Sequence, residues 1–220
     1  ELMFINPVAL EIYTKSDQAD PAFKLASELL SQKPDDFTVL VMMTHFGASQ
    51  SRKSHRRYVE VSLKYGTRAI EMIEKDQQPA AVTDQRESIL SGLYQQTGML
   101  MFAQGKEAEA KAQILKATRL GPKDPGSYAF LGRVLDEEYE RQMVLYGAMP
   151  EGRSKDNEKK RLDLMVDEMI DAYARAVGLA TGKDEYQLLL QQVVPDLTRY
   201  YKYRNQSVVG LQRLIDKYKY

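Results

Sequence analysis

Apolar residues recur along this chain at helical spacing, and turn signals fall between the apolar stretches. From Pro21 to Gln32, the residues Phe23, Leu25, Ala26, Leu29 and Leu30 share one helical face. Lys33-Pro34-Asp35-Asp36 stops that helix and caps the next, predicted over Phe37 to Phe46 with Gly47 as its end. A longer helix is predicted from Arg52 to Glu74, with Tyr58, Val61, Tyr65, Ala69, Met72 and Ile73 inward, ended by Gln77-Gln78-Pro79. Others follow over Ala81 to Ala103 and Glu107 to Leu120. The second is acidic early (Glu107, Glu109) and basic late (Lys116, Arg119), the order that suits the helix dipole. Asn6-Pro7, Asp20-Pro21 and Asp124-Pro125 read as helix starts, an N-cap followed by a proline in the first turn.

After Tyr146 the pattern breaks. Gly147, Pro150, Gly152 and the polar run Arg153 to Lys160 predict an inserted loop. Periodicity resumes near Arg161 with Leu164, Met165, Met169, Ile170, Tyr173 and Val177. The closing pair is predicted over Glu185 to Tyr203, where Pro195 should kink or end the helix, and Ser207 to Tyr218. No strand pattern stands out, so the fold class is all-α with short links between eight to ten helices.

The helices also repeat. Tyr94, Gly98 and Met101 recur 34 residues later as Tyr128, Gly132 and Leu135. A fixed period of this length belongs to helix pairs stacked side by side, because one pair cannot bury its apolar face alone. The best unit covers 91–124: Tyr94, Gly98 and Met101 on its first helix, Ala110, Ile114 and Ala117 on its second, and Pro122 at its close. The next covers 125–182. It opens with Tyr128, Leu131, Gly132 and Leu135, and closes with Met169, Tyr173 and Ala176 beyond an insertion at about 148–160. Gly132 to Ala176 spans 44 residues against 19 from Gly98 to Ala117, so about 25 residues are extra. An earlier unit (Ala22 and Pro34, then Leu40 and Met43, with Thr44 where glycine is usual) and a last one from Asp184 follow the pattern loosely.

In these positions the chain resembles the tetratricopeptide repeat family. The resemblance implies a right-handed superhelical stack of antiparallel helix pairs, an α-solenoid, over a single repeat domain 1–220. Small residues let paired helices approach, and large ones fill the space between them. The role it implies is a non-catalytic scaffold whose first helices line a concave surface for a peptide or partner helix. Carried onto this sequence, the partner-facing residues are Met42 and His45, then Gln95, Met99 and Phe102, then Ala129, Arg133 and Asp136, and last Leu188 and Gln192. The subfamily that clamps a C-terminal carboxylate needs Lys and Asn on these faces. Gln95, Met99 and Ala129 stand there, so such clamping is not expected. The insertion, Ala148 to Lys160, is expected to act as a flap over that surface or a second contact beside it.

Composition narrows the chemistry. Lys+Arg and Asp+Glu are both 31, so no global field favours nucleic acid. There is no cysteine, which removes disulfides, thiolate catalysis and Cys-based zinc sites. The longest apolar run, Phe37 to Met43 interrupted by Thr38, falls far short of the ~20 residues that cross a bilayer, so no membrane span is expected. Glu1-Leu2-Met3-Phe4 lacks the regions of a signal peptide, and both a cytoplasmic location and export after processing fit the sequence.

Phosphate loops and hydrolase motifs are absent, and no cofactor is implied. His45 and His55 lie ten apart on different predicted helices and share no face for a metal. Asp163, Asp167 and Asp171 form an acidic stripe, read as a solvated face neutralised by Arg161 and Arg175 rather than a cation site. Arg52, Lys53, His55, Arg56 and Arg57 make a short basic run at a predicted helix start. Arg199-Tyr200-Tyr201-Lys202-Tyr203-Arg204 interleaves aromatics and cations, a pattern that packing with snorkelling cations explains more simply than base stacking. Two alternatives to the scaffold remain: an enzyme built across repeats from His45, Arg133 and nearby carboxylates, and a homo-oligomer in which another copy fills the groove.

Overall fold

The computed structural model describes the backbone of residues 2–53 and 56–219, with side chains from residue 8 onward. The regular structure among them is entirely helical: α1 (Leu2–Lys15), α2 (Ala19–Gln32), α3 (Phe37–Arg52), α4 (Val59–Glu74), α5 (Arg86–Ala103), α6 (Glu107–Leu120), α7 (Pro125–Gly147), α8 (Arg153–Ala180), α9 (Gln187–Asn205) and α10 (Leu211–Asp216). Short 3-10 turns at Arg56–Tyr58, Ala80–Gln85 and Asp184–Tyr186 lead into α4, α5 and α9. The chain divides into two compact units, residues 1–120 and 121–220.

In the first unit successive helices pack as neighbours, and α3 also lies against α5. Asp36 caps α3 by accepting from the Val39 N–H at 3.3 Å, satisfying one of the orphan donors at a helix start. One core cluster joins α3 to α6 through Phe37, Leu40, Ala69, Ile70, Ile73, Leu93, Tyr94 and Ala117. Another joins α1 to α3 and Tyr58, where Phe23 and Tyr58 stack with ring centroids 4.0 Å apart. Gly98 faces α6 as the repeat pattern requires. A Cβ there would lie 2.9 Å from Ile114 and 3.3 Å from the Ala110 carbonyl.

Gly47 does not end its helix. α3 continues to Arg52, and the missing side chain lets α4 approach so closely that a Cβ would overlap the Ser62 hydroxyl. Glycine inside a helix costs ~1 kcal/mol relative to alanine, and here close helix contact offsets it. The helix expected from Arg52 begins instead at Val59. At the other end of the unit, α1 starts at Leu2 and runs through Asn6 and Pro7, so that pair is not its cap.

In the second unit α7 packs on α8, α8 on α9 and α10, and α7 touches α9. Asp124 caps α7, accepting from the Gly126 and Ser127 N–H groups at 3.1 and 2.9 Å, with Pro125 in the first turn. A Cβ on Gly132 would overlap the buried Tyr173 ring of α8. The expected loop over Arg153 to Lys160 is helical, and only 148–152 breaks the chain between α7 and α8. Arg, Lys and Glu are good helix formers, no Gly or Pro interrupts the run, and Lys155 pairs with Glu151 at 2.5 Å. The insertion is therefore a lengthening of both antiparallel helices, and no residue between Tyr139 and Leu162 is buried. α9 also continues through Pro195, which is exposed while Val193, Leu197 and Tyr200 are buried. That burial holds the helix together although an interior proline, which removes one hydrogen bond and crowds the preceding carbonyl, costs ~3 kcal/mol.

Candidate functional site

The side-by-side placement of α3 and α5 sets the most distinctive surface of the first unit. Met42, His45 and Arg52 stand at helical spacing along α3, and Gln95, Met99 and Phe102 along α5. Met42 is half-buried beneath α1, where the Thr14 hydroxyl reaches its sulfur at 3.9 Å. The exposed His45 ring shares a hydrogen bond of 3.0 Å between Nδ1 and Nε2 of Gln96. Packing against α5 and the positive charge of Arg52 both hold its pKa below the ordinary histidine value. Both effects favour the neutral ring, in which Nδ1 can accept from the amide. Two turns further along, Arg52 Nη1 reaches the Met99 sulfur at 3.6 Å. Gln95 and Phe102 are half-buried beside Gln96 and Met99.

Gln96 and Arg52 were not assigned to this face by the repeat pattern. A helix stop at Gly47 would place Arg52 at the start of the following helix, away from this face. Once α3 runs unbroken, Arg52 falls seven residues after His45, on the same side.

The corresponding residues of the second unit are differently engaged. The Asp136 carboxylate accepts a short hydrogen bond from the Tyr200 hydroxyl of α9, and Arg199 lies 3.4 Å away with its guanidinium over the Tyr200 ring. Burial and the neighbouring carboxylate push the Tyr200 phenol far above its usual pKa. Asp136 is thus part of the α7–α9 packing. Ala129 is half-buried, Arg133 is exposed, and Leu188 and Gln192 lie open on α9, with Leu188 74% exposed.

The acidic stripe of α8 works within the unit too. Asp167 takes both Arg204 nitrogens, at 2.8 and 3.1 Å. Asp171 pairs with Arg175 at 2.8 Å and accepts from the Tyr218 hydroxyl at 2.5 Å. Arg161, expected to neutralise the stripe, instead pairs with Glu158 at 2.7 Å, one turn back on its own helix. The stripe thus ties α9 and α10 to α8. In the C-terminal aromatic run Tyr200 is buried, while Arg199 and Arg204 bind carboxylates. In the basic run, Lys53 pairs with Asp17 at 2.6 Å and Arg57 with Asp20 at 2.6 Å. His55 lies outside the described residues.

Among the described residues no cluster of three or more His, Asp or Glu is arranged to hold a metal ion, and no helix is long and apolar enough to cross a membrane. A surface cavity of about 740 Å³ is lined by Glu60, Lys64, Arg68, Glu71, Gln104 and Lys106 among others, and one of about 550 Å³ by residues of α1 and α2. No protein-family model matches the chain, and no curated protein is detectably similar to it.

Proposed function

We propose that this protein is a non-catalytic interaction module of the tetratricopeptide type, which takes up a peptide or partner helix on the face formed by α3 and α5. Under this reading its helix pairs are divergent repeats of a right-handed superhelical stack. The observation that carries it is the meeting of His45 with Gln96, and of Arg52 with Met99, across two helices that are each the first of a pair. Such a face offers an apolar thioether, amides and a cation within one reach. That combination suits recognition of a short segment with a few anchors better than it suits chemistry on a small substrate.

Selection of a random-peptide display library on the full chain tests the reading. Selected peptides should lose about tenfold in affinity on Met99→Ala, the equivalent of about 1.4 kcal/mol. Peptides that bind the variant as tightly as the natural chain would place recognition elsewhere. The self-assembly alternative is separated by light scattering over a range of concentrations, where this reading expects a constant molar mass.

A further inference from the structure

The face between α3 and α5 has a pronounced charge asymmetry. Arg52 is exposed and has no carboxylate partner among the described residues; its one recorded contact is the Met99 sulfur, a weak acceptor. Of the cations that follow it in sequence, Lys53 pairs with Asp17 and Arg57 with Asp20, while Arg56 is exposed beyond the end of α3, in the turn that leads into α4. The side chains that meet across α3 and α5 on this face, the His45–Gln96 pair and the Met99 thioether, carry no acidic group. The Gln96 Nε2 is held by His45, while its Oε1 is enclosed without a hydrogen-bond partner.

We infer that this face recognises a linear peptide segment carrying an Asp or Glu side chain next to an apolar residue, the carboxylate on the Arg52 guanidinium and the apolar side chain on Met99. The inference rests on the proposed function and names the chemistry of the partner. A guanidinium presents a fork of donors matched to a carboxylate, and only one weak contact now occupies it. Nucleic acid fits less well. Lys53 and Arg57 are already paired with carboxylates, and the chain carries no net positive charge to follow a phosphate backbone.

Display selection with charge reversal tests this. The natural chain should enrich peptides containing Asp or Glu, and Arg52→Glu should enrich Lys or Arg in their place. Arg52→Gln should weaken the acidic peptides about tenfold without reversing the preference. Arg52 is exposed, so all three proteins should give the same circular dichroism. Peptides that depend on Met99 yet show no charge preference would overturn this inference and leave the proposed function standing. Peptides insensitive to both positions, or no enrichment at all, would overturn both. Tighter, Arg52-dependent binding of a single-stranded oligonucleotide than of any selected peptide would overturn the assignment to a peptide.

Discussion

At the scale of single residues, three positions read the packing directly. Gly132 has no room for a methyl group, because the buried Tyr173 ring fills the space where it would go. Gly92 on α5 has nothing within 4 Å of the same position. Gly132→Ala should therefore destabilise by about 1–3 kcal/mol through overpacking, whereas Gly92→Ala should stabilise by up to ~1 kcal/mol through helix propensity. Urea midpoints of the two variants check the contrast. Ser62 supplies the third. Its hydroxyl is fully buried against Gly47 with no hydrogen-bond partner, so Ser62→Ala should stabilise the fold by on the order of 1 kcal/mol and raise the urea midpoint accordingly. A fall would mean that the hydroxyl is satisfied in solution. Gly98 and Gly132 were legible in the sequence because each sits 34 residues from the other within a matching apolar pattern. Gly47 was not, since a glycine at a close crossing and a glycine at a helix end look alike until the partner helix is known.

At the scale of elements, proline and aspartate pairs marked helix starts well where the aspartate binds backbone N–H groups, as Asp36 and Asp124 do. They mark less well at Asn6-Pro7, which lies inside α1, and at Asp20-Pro21, where α2 already begins at Ala19 after Gln18 and Asp20 sits in the first turn rather than at the cap. The polar run Arg153 to Lys160 misled for a physical reason. Its residues bury nothing, so no apolar periodicity reveals a helix that rests on propensity and on its antiparallel neighbour. This extension contributes little to the core. Replacing residues 145–160 with a short glycine-rich turn should leave helicity per residue and the urea midpoint close to those of the natural chain, checked by circular dichroism. A large loss of stability would show that the extension is braced by contacts absent from this structure.

At the scale of the whole molecule, both units bind tyrosine hydroxyls to carboxylates, and this gives the fold an alkaline limit. Burial and the Glu74 carboxylate push the Tyr94 phenol up to about 12 from an ordinary 10.0. Tyr139, Tyr173 and Tyr200 are raised further, each first by burial. The folded chain holds these protons more tightly than the unfolded chain does. The stabilisation is therefore complete below about pH 10 and is lost as pH rises through the folded-state values. Tyrosinate absorbance and circular dichroism followed together should show unfolding and the ionisation of these phenols in one transition above pH 10. Ionisation with helicity intact would contradict the burial. The candidate site was only partly legible at this scale. His45 and Met99 follow from repeat position, but the Arg52 cation and the Gln96 amide emerge only when α3 and α5 are set side by side.

The most direct test of the account is hydrogen exchange of the full chain with and without a display-selected peptide. Protection should rise in 42–52 of α3 and 95–102 of α5, with the α7–α8 extension unchanged. Protection confined to the extension or to α9, or unchanged at α3 and α5 when the peptide is bound, would contradict it.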